Sequence, residues 1–219
     1  MKKEIKNIIE NLSIIFIFVI LYILLRLISS IPPIPSPSPL MDYILQILSQ
    51  LILLLIYSIF ISIAIKASSL TLKGKFSFKE SLKNSKKSFG NFVYLFLFSA
   101  INLLFIYLTA KFLSPVLYTK SIILLGLIPV VAFALISPLI IFAMFNYSLN
   151  SSFIGSIIRS RPNKKYYLYT LGLVVVYFLF TGLTRSIPYL FMQDIAFFVI
   201  IYPALTLVLT YLFENVSSK

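Results

Sequence analysis

The sequence predicts an all-α fold: a polytopic membrane protein of six transmembrane helices joined by cytoplasmic amphipathic connectors. Three observations carry that reading. The 219 residues are 60% hydrophobic and only 11% charged, where a soluble domain is about a quarter charged. The apolar residues gather into six runs, each near the roughly 20 residues a helix needs to cross a bilayer. Two lysine-rich segments then divide those runs into three pairs. The chain reads as one integral membrane domain over residues 1–219, with no separate soluble part.

The first run covers residues 9–29. It follows Met1-Lys2-Lys3, the charge order of a signal peptide, but the run is long and Ser29-Ser30-Ile31-Pro32-Pro33 is a poor cleavage site. A retained helix is expected. Arg26, near its far end, is expected to snorkel to the surface. Pro32, Pro33, Pro35, Pro37 and Pro39 follow. They remove amide donors and favour polyproline II, so this connection reads as a stiff spacer in preference to a docking strip for a proline-reading domain.

The second run covers residues 43–66. Gln46 and Gln50 share a helical face, as do Ser58 and Ser62. Hydrogen bonds between helices are the expected use of such groups, with substrate binding as the alternative. Next comes the densest basic segment, with Lys66, Lys73, Lys75, Lys79, Lys83, Lys86 and Lys87. Within it, Ser77 and Glu80 have the spacing of a capping box. On a helical wheel Phe78, Leu82, Ser85 and Phe89 form a narrow stripe beside Lys79, Lys83, Lys86 and Lys87. That is the pattern of a helix lying in the headgroup plane, and the alternative is an ordinary positive loop. Gly90 is expected to stop this helix.

The third run, residues 92–112, carries Asn102 at its middle. The fourth, 121–147, contains Pro129 and Pro138, and the sixth, 195–213, contains Pro203. Each proline removes a backbone donor and is expected to kink its helix. Broken helices can line a transport site, but proline is also frequent in ordinary spans. The fifth run is residues 167–183. Asp194 and Arg185 share the last outer connection and are expected to pair, and Glu214 ends the sixth run.

Orientation follows from the basic residues. Fifteen of the 19 Lys and Arg fall at the amino terminus, in the second and fourth connections and at Lys219, while Arg26, Lys111, Lys120 and Arg185 fall on the other side. This asymmetry predicts both termini in the cytoplasm of a cell-membrane protein. The net charge of +13 is then attraction to anionic headgroups and not a nucleic-acid footprint.

An offset of 75 residues aligns Phe78, Ser81, Leu82 and Ser85 with Phe153, Ser156, Ile157 and Ser160. A duplicated helix–connector–helix unit is expected, over about 42–113 and 117–187. With this echo and the helix-pair spacing, the chain resembles a group of uncharacterised six-helix prokaryotic membrane proteins. Those are related to the membrane domain that some glycerophosphodiester phosphodiesterases carry. The resemblance implies the six-helix fold. The phosphodiesterase activity belongs to a separate soluble domain whose histidines this chain lacks.

The chain has no Cys, His or Trp, so thiolate and imidazole chemistry are excluded. No carboxylate pair is placed for acid–base work, and no cofactor or metal is expected. The function expected is non-catalytic: a structural or interaction role, with the basic face on anionic lipid or a protein partner. The alternative is a small transporter or permease subunit. Its site would lie near the kinked fourth and sixth helices, with Gln46, Gln50, Asn102, Pro129, Pro138 and Pro203 as candidates.

Overall fold

The computed structural model describes residues 2–29, 38–113, 120–150, 152, 155, 162–184 and 190–216. They are helical, with no strand among the described residues. The helices are α1 (Lys2–Ser29), α2 (Pro39–Leu72), α3 (Phe78–Lys83), α4 (Ser88–Leu113), α5 (Lys120–Leu149), α6 (Lys164–Thr184), α7 (Leu190–Ile195) and α8 (Tyr202–Asn215). A 3-10 turn, Asn84–Lys87, joins α3 to α4, and a π-helical segment, Ala196–Ile201, joins α7 to α8. Each of the six expected runs lies within helix. Among the described residues four stretches are long and apolar enough to cross a membrane: Leu40–Leu72, Phe78–Phe105, Val131–Leu149 and Gln193–Asn215.

The ends of α2 are written in its sequence. Ser38 caps the start, its hydroxyl accepting from the Met41 amide at 3.3 Å, and Pro39 follows where a missing N–H costs nothing. At the other end Gly74 takes φ +65°. The Lys75 amide then reaches the Leu70 carbonyl and the Gly74 amide the Thr71 carbonyl, both at 2.9 Å. That pair of bonds closes the helix in a Schellman motif, which needs a left-handed residue at the glycine position.

Bonds between helix termini fix which ends meet. Ser69 and Lys73, near the end of α2, bond Glu214 near the end of α8. Asn163, just before α6, donates to the Val216 carbonyl at 3.2 Å. Asn91, near the start of α4, bonds Ser148 near the end of α5. The long helices therefore alternate in direction, and the lysines from Lys66 to Lys87 gather at one end with Lys164 and Lys165. At the opposite end Arg26 pairs with Asp194 and reaches the Tyr22 hydroxyl at 3.3 Å. Arg26 is exposed at that end, as snorkelling requires, and its pairing with Asp194 also ties α1 to α7. Arg185, the expected partner of Asp194, lies outside the described residues, as do residues 153–160 of the repeat apart from Gly155.

Two buried clusters hold the bundle. Near the basic end Phe142 meets Tyr166 edge-on at 4.9 Å between ring centres, and Phe213 at 5.3 Å. The other cluster packs Ile14, Ile17, Phe18 and Leu21 of α1 against Ile63, Ala64 and Ala67 of α2 and Phe198. Small residues at Ala64 and Ala67 let these backbones approach, as helix packing in lipid requires.

Candidate functional site at the basic end and in the bundle

Half of the expected capping box forms: the Ser77 hydroxyl accepts from the Glu80 amide at 3.4 Å and opens α3, with no return bond from the Glu80 carboxylate to the Ser77 amide among the described residues. The helix is shorter than expected. It ends at Lys83 and tightens into the 3-10 turn, after which α4 begins at Ser88. Gly90 does not stop the helix but lies inside α4, buried. A Cβ built there would stand 2.5 Å from Cζ of Tyr147 and 2.8 Å from its hydroxyl. The glycine is there for close approach: α5 lays a tyrosine ring where any side chain on α4 would stand.

What anchors the connector is polar. Asn84 is buried, and its Nδ2 donates to the Ser62 carbonyl on α2 at 2.7 Å. Asn91, fully buried, donates to the Ser62 hydroxyl at 2.7 Å and the Ser148 hydroxyl at 2.8 Å, and Ser148 donates back to its Oδ1 at 3.1 Å. The Ser62 hydroxyl donates in turn to the Ser58 carbonyl at 2.6 Å. One amide thus satisfies α2, α4 and α5 together, where an unpaired buried amide would be costly. The interhelical use expected of Ser62 is realised; the hydroxyl of Ser58 bonds only within its own helix, to the Leu55 carbonyl at 2.7 Å.

With Ser81 and Asn84 turned inward, the apolar stripe faces out. Phe78 is 47% exposed, Leu82 43% and Phe89 72%. Lys79, Lys83 and Lys86 are exposed beside them. Lys87 leaves this face: its Nζ donates to the Tyr147 carbonyl at 2.6 Å and stands 5.4 Å from that ring's centre. The 3-10 turn rotates Lys87 out of the wheel position that a continuous helix would give it. Lys87 therefore binds α4 to α5 where a surface cation was expected.

The second feature is a cavity of about 320 Å³ in the middle of the bundle, between α1, α2, α4, α5, α6 and α8. Its wall is chiefly apolar, with Ile65, Phe98, Phe145 and Leu209 among the lining residues. Its polar groups are Asn102, Tyr57, Tyr177, Tyr202 and Thr206. Of the residues expected at a transport site, Asn102 alone among the described side chains lines it. Gln46 and Gln50 are exposed on the first half of α2 and make no bond between helices. That half of α2 turns most of its side chains outward, so sharing a face brought the two glutamines to the outside. Pro138 is buried and away from the cavity. The carbonyl it leaves without a helical donor, that of Ala134, accepts from the Ser137 hydroxyl at 3.1 Å, and the Tyr167 hydroxyl reaches the neighbouring Leu135 carbonyl at 2.6 Å. The side chain of Pro129 lies outside the described residues. Pro203 is buried in the first turn of α8. Its missing donor coincides with the π segment, which widens the helix just before Tyr202 reaches the cavity. Among the described residues no group of three or more His, Cys, Asp or Glu is placed to hold a metal ion. Compared with protein-family models, curated proteins and solved structures, the chain matches none.

Proposed function

We propose that the protein is a non-catalytic integral membrane protein whose basic face rests on anionic headgroups at the cytoplasmic leaflet, in a structural or interaction role. All six long helical runs cross the membrane in this reading, with both termini in the cytoplasm. The related membrane domain of glycerophosphodiester phosphodiesterases, and the duplicated helix–connector–helix unit, are proposed with it.

One observation carries the proposal. The connector is fixed by its polar side, through Asn84 and Ser62, and presents Phe78, Leu82 and Phe89 outward beside Lys79, Lys83 and Lys86. An apolar row rimmed by cations suits the boundary between acyl chains and anionic headgroups. Each lysine near such a surface contributes about 1 kcal/mol at modest salt.

The test is on the full-length protein in vesicles, with an environment-sensitive fluorophore at Leu82→Cys. A blue shift is expected in phosphatidylglycerol-containing vesicles relative to phosphatidylcholine, diminished by Lys79→Gln, Lys83→Gln and Lys86→Gln together. Equal emission in both lipids rejects the lipid-surface role. The transporter reading retains the cavity with Asn102 on its wall. The other described candidates stand away from that wall, Pro203 reaching it only through its neighbour Tyr202.

A further inference from the structure

The bundle cavity has a chemistry of its own, independent of the basic face. Three of its polar side chains lie at one depth. Tyr57 is 15 residues from the Leu72 end of α2, Asn102 is 14 from the Ser88 start of α4, and Tyr202 is 13 from the Asn215 end of α8. At 1.5 Å per residue each is about 20 Å from the basic end. Ile65, Met144 and Leu209 line the cavity closer to that end, and none of them is polar. Thr206, nine residues from Asn215, is the polar lining residue nearer that end, and its hydroxyl turns back to the Tyr202 carbonyl, so among the described residues the wall below it is hydrocarbon.

No charged side chain lines the cavity among the described residues. An ion there would lose its hydration with no charged group on the wall to offset the loss, and Asp194, whose charge reaches Tyr57 and Tyr202, is already paired with Arg26. Neither Asn102 nor Tyr57 has a hydrogen-bond partner among the described residues. The Thr206 hydroxyl donates to the Tyr202 carbonyl at 2.8 Å and keeps its oxygen as an acceptor. At about 320 Å³ the cavity is within the size range of sites that take a small organic molecule.

We infer that this cavity binds a neutral amphiphile: a molecule with one uncharged hydrogen-bonding group and an alkyl body. The polar group sits against Asn102 and the tyrosines. The alkyl part runs toward Ile65, Met144 and Leu209. The π segment that accommodates Pro203 helps shape the site, because it sets where Tyr202 enters.

The probe is a ten-carbon alcohol bearing a diazirine near the end of its chain, applied to the full-length protein in phosphatidylcholine vesicles. After illumination, mass spectrometry is expected to place adducts on Ile65, Met144 or Leu209. Unlabelled decanol should compete, and decanoate should not. Leu173→Trp, filling the cavity, should abolish these adducts. A second variant, Asn102→Leu, should weaken decanol competition about three- to tenfold while leaving decane competition unchanged, the worth of one hydrogen bond. Unchanged size-exclusion behaviour shows that this variant is folded. Adducts confined to outward residues such as Leu103 and Leu104, decanoate competing as well as decanol, or an Asn102→Leu protein indistinguishable from the parent would each overturn the inference.

Discussion

Asn84 donates a 2.7 Å hydrogen bond from its buried side-chain amide to the backbone carbonyl of Ser62. The connector between α2 and α4 is therefore held by a polar bond to the helix that precedes it. Its apolar residues are left free to face outward. The next amide along the chain, Asn91, uses the hydroxyl of the same serine.

This pair of bonds predicts an ordered loss of stability. Asn84→Ala should cost about 0.5–1.5 kcal/mol, the net worth of one hydrogen bond. Asn91→Ala should cost more, about 1–3 kcal/mol, because the buried Ser62 and Ser148 hydroxyls lose a partner. Ser62→Ala combined with Asn91→Ala should be clearly non-additive. Reversible unfolding in detergent measures all three. Equal, additive losses would mean that the network is not shared.

Gly90 and Tyr147 make a second testable contact. Gly90→Ala puts a methyl group into the tyrosine ring, whose backbone carbonyl is held by Lys87 and whose face meets Tyr94. Overpacking of this kind costs about 1–3 kcal/mol. Tyr147→Leu in the same chain should recover part of the loss. A Gly90→Ala protein as stable as the parent would show that the ring moves aside freely.

The pairing of Arg26 with Asp194 can be checked by cross-linking, since the chain has no cysteine. Arg26→Cys with Asp194→Cys should form an intramolecular disulfide under mild oxidant. Arg26→Cys with Glu214→Cys, placed at opposite ends of the bundle, should not. Cross-linking in the second pair and not the first would reverse the assignment of α1 and α7 to a common end.

Membrane orientation follows from the same ends. An impermeant maleimide applied to intact cells should label Ser36→Cys and spare Ser85→Cys. The opposite pattern would place the basic end outside.

The helices were legible in the sequence because their signal is collective. About twenty apolar residues in a row, ended by Ser38-Pro39 or by Gly74, leave little freedom in where α2 begins and stops. The Ser77 cap was legible for the same reason: it depends on residues three apart. Pairings across the bundle were not. Arg26 meets Asp194 from 168 positions away, and no local pattern carries that register. Gly90 reads as a stop signal in sequence, because a glycine needed for left-handed backbone and one needed for close approach look alike. The outward stripe of Phe78, Leu82 and Phe89 was visible as a period. Asn84 and Asn91, which aim it, share one helical face at their seven-residue spacing, but an asparagine in a basic segment carries no local mark of the buried carbonyl or hydroxyl it will meet. The tyrosines of the cavity were equally hidden, since Tyr57, Tyr177 and Tyr202 converge only when three helices pack.

Whether the connector lies on the lipid surface is decided by its depth in the bilayer. Spin labels at Leu82→Cys and Phe89→Cys in the full-length protein, reconstituted with phosphatidylglycerol, report relative access to oxygen and to a polar nickel complex. Oxygen access above nickel access is expected at both positions, at headgroup-to-acyl depth, with Lys83→Cys shallower than Leu82→Cys. Access ratios equal to those of bulk water at Leu82 and Phe89 would contradict that placement.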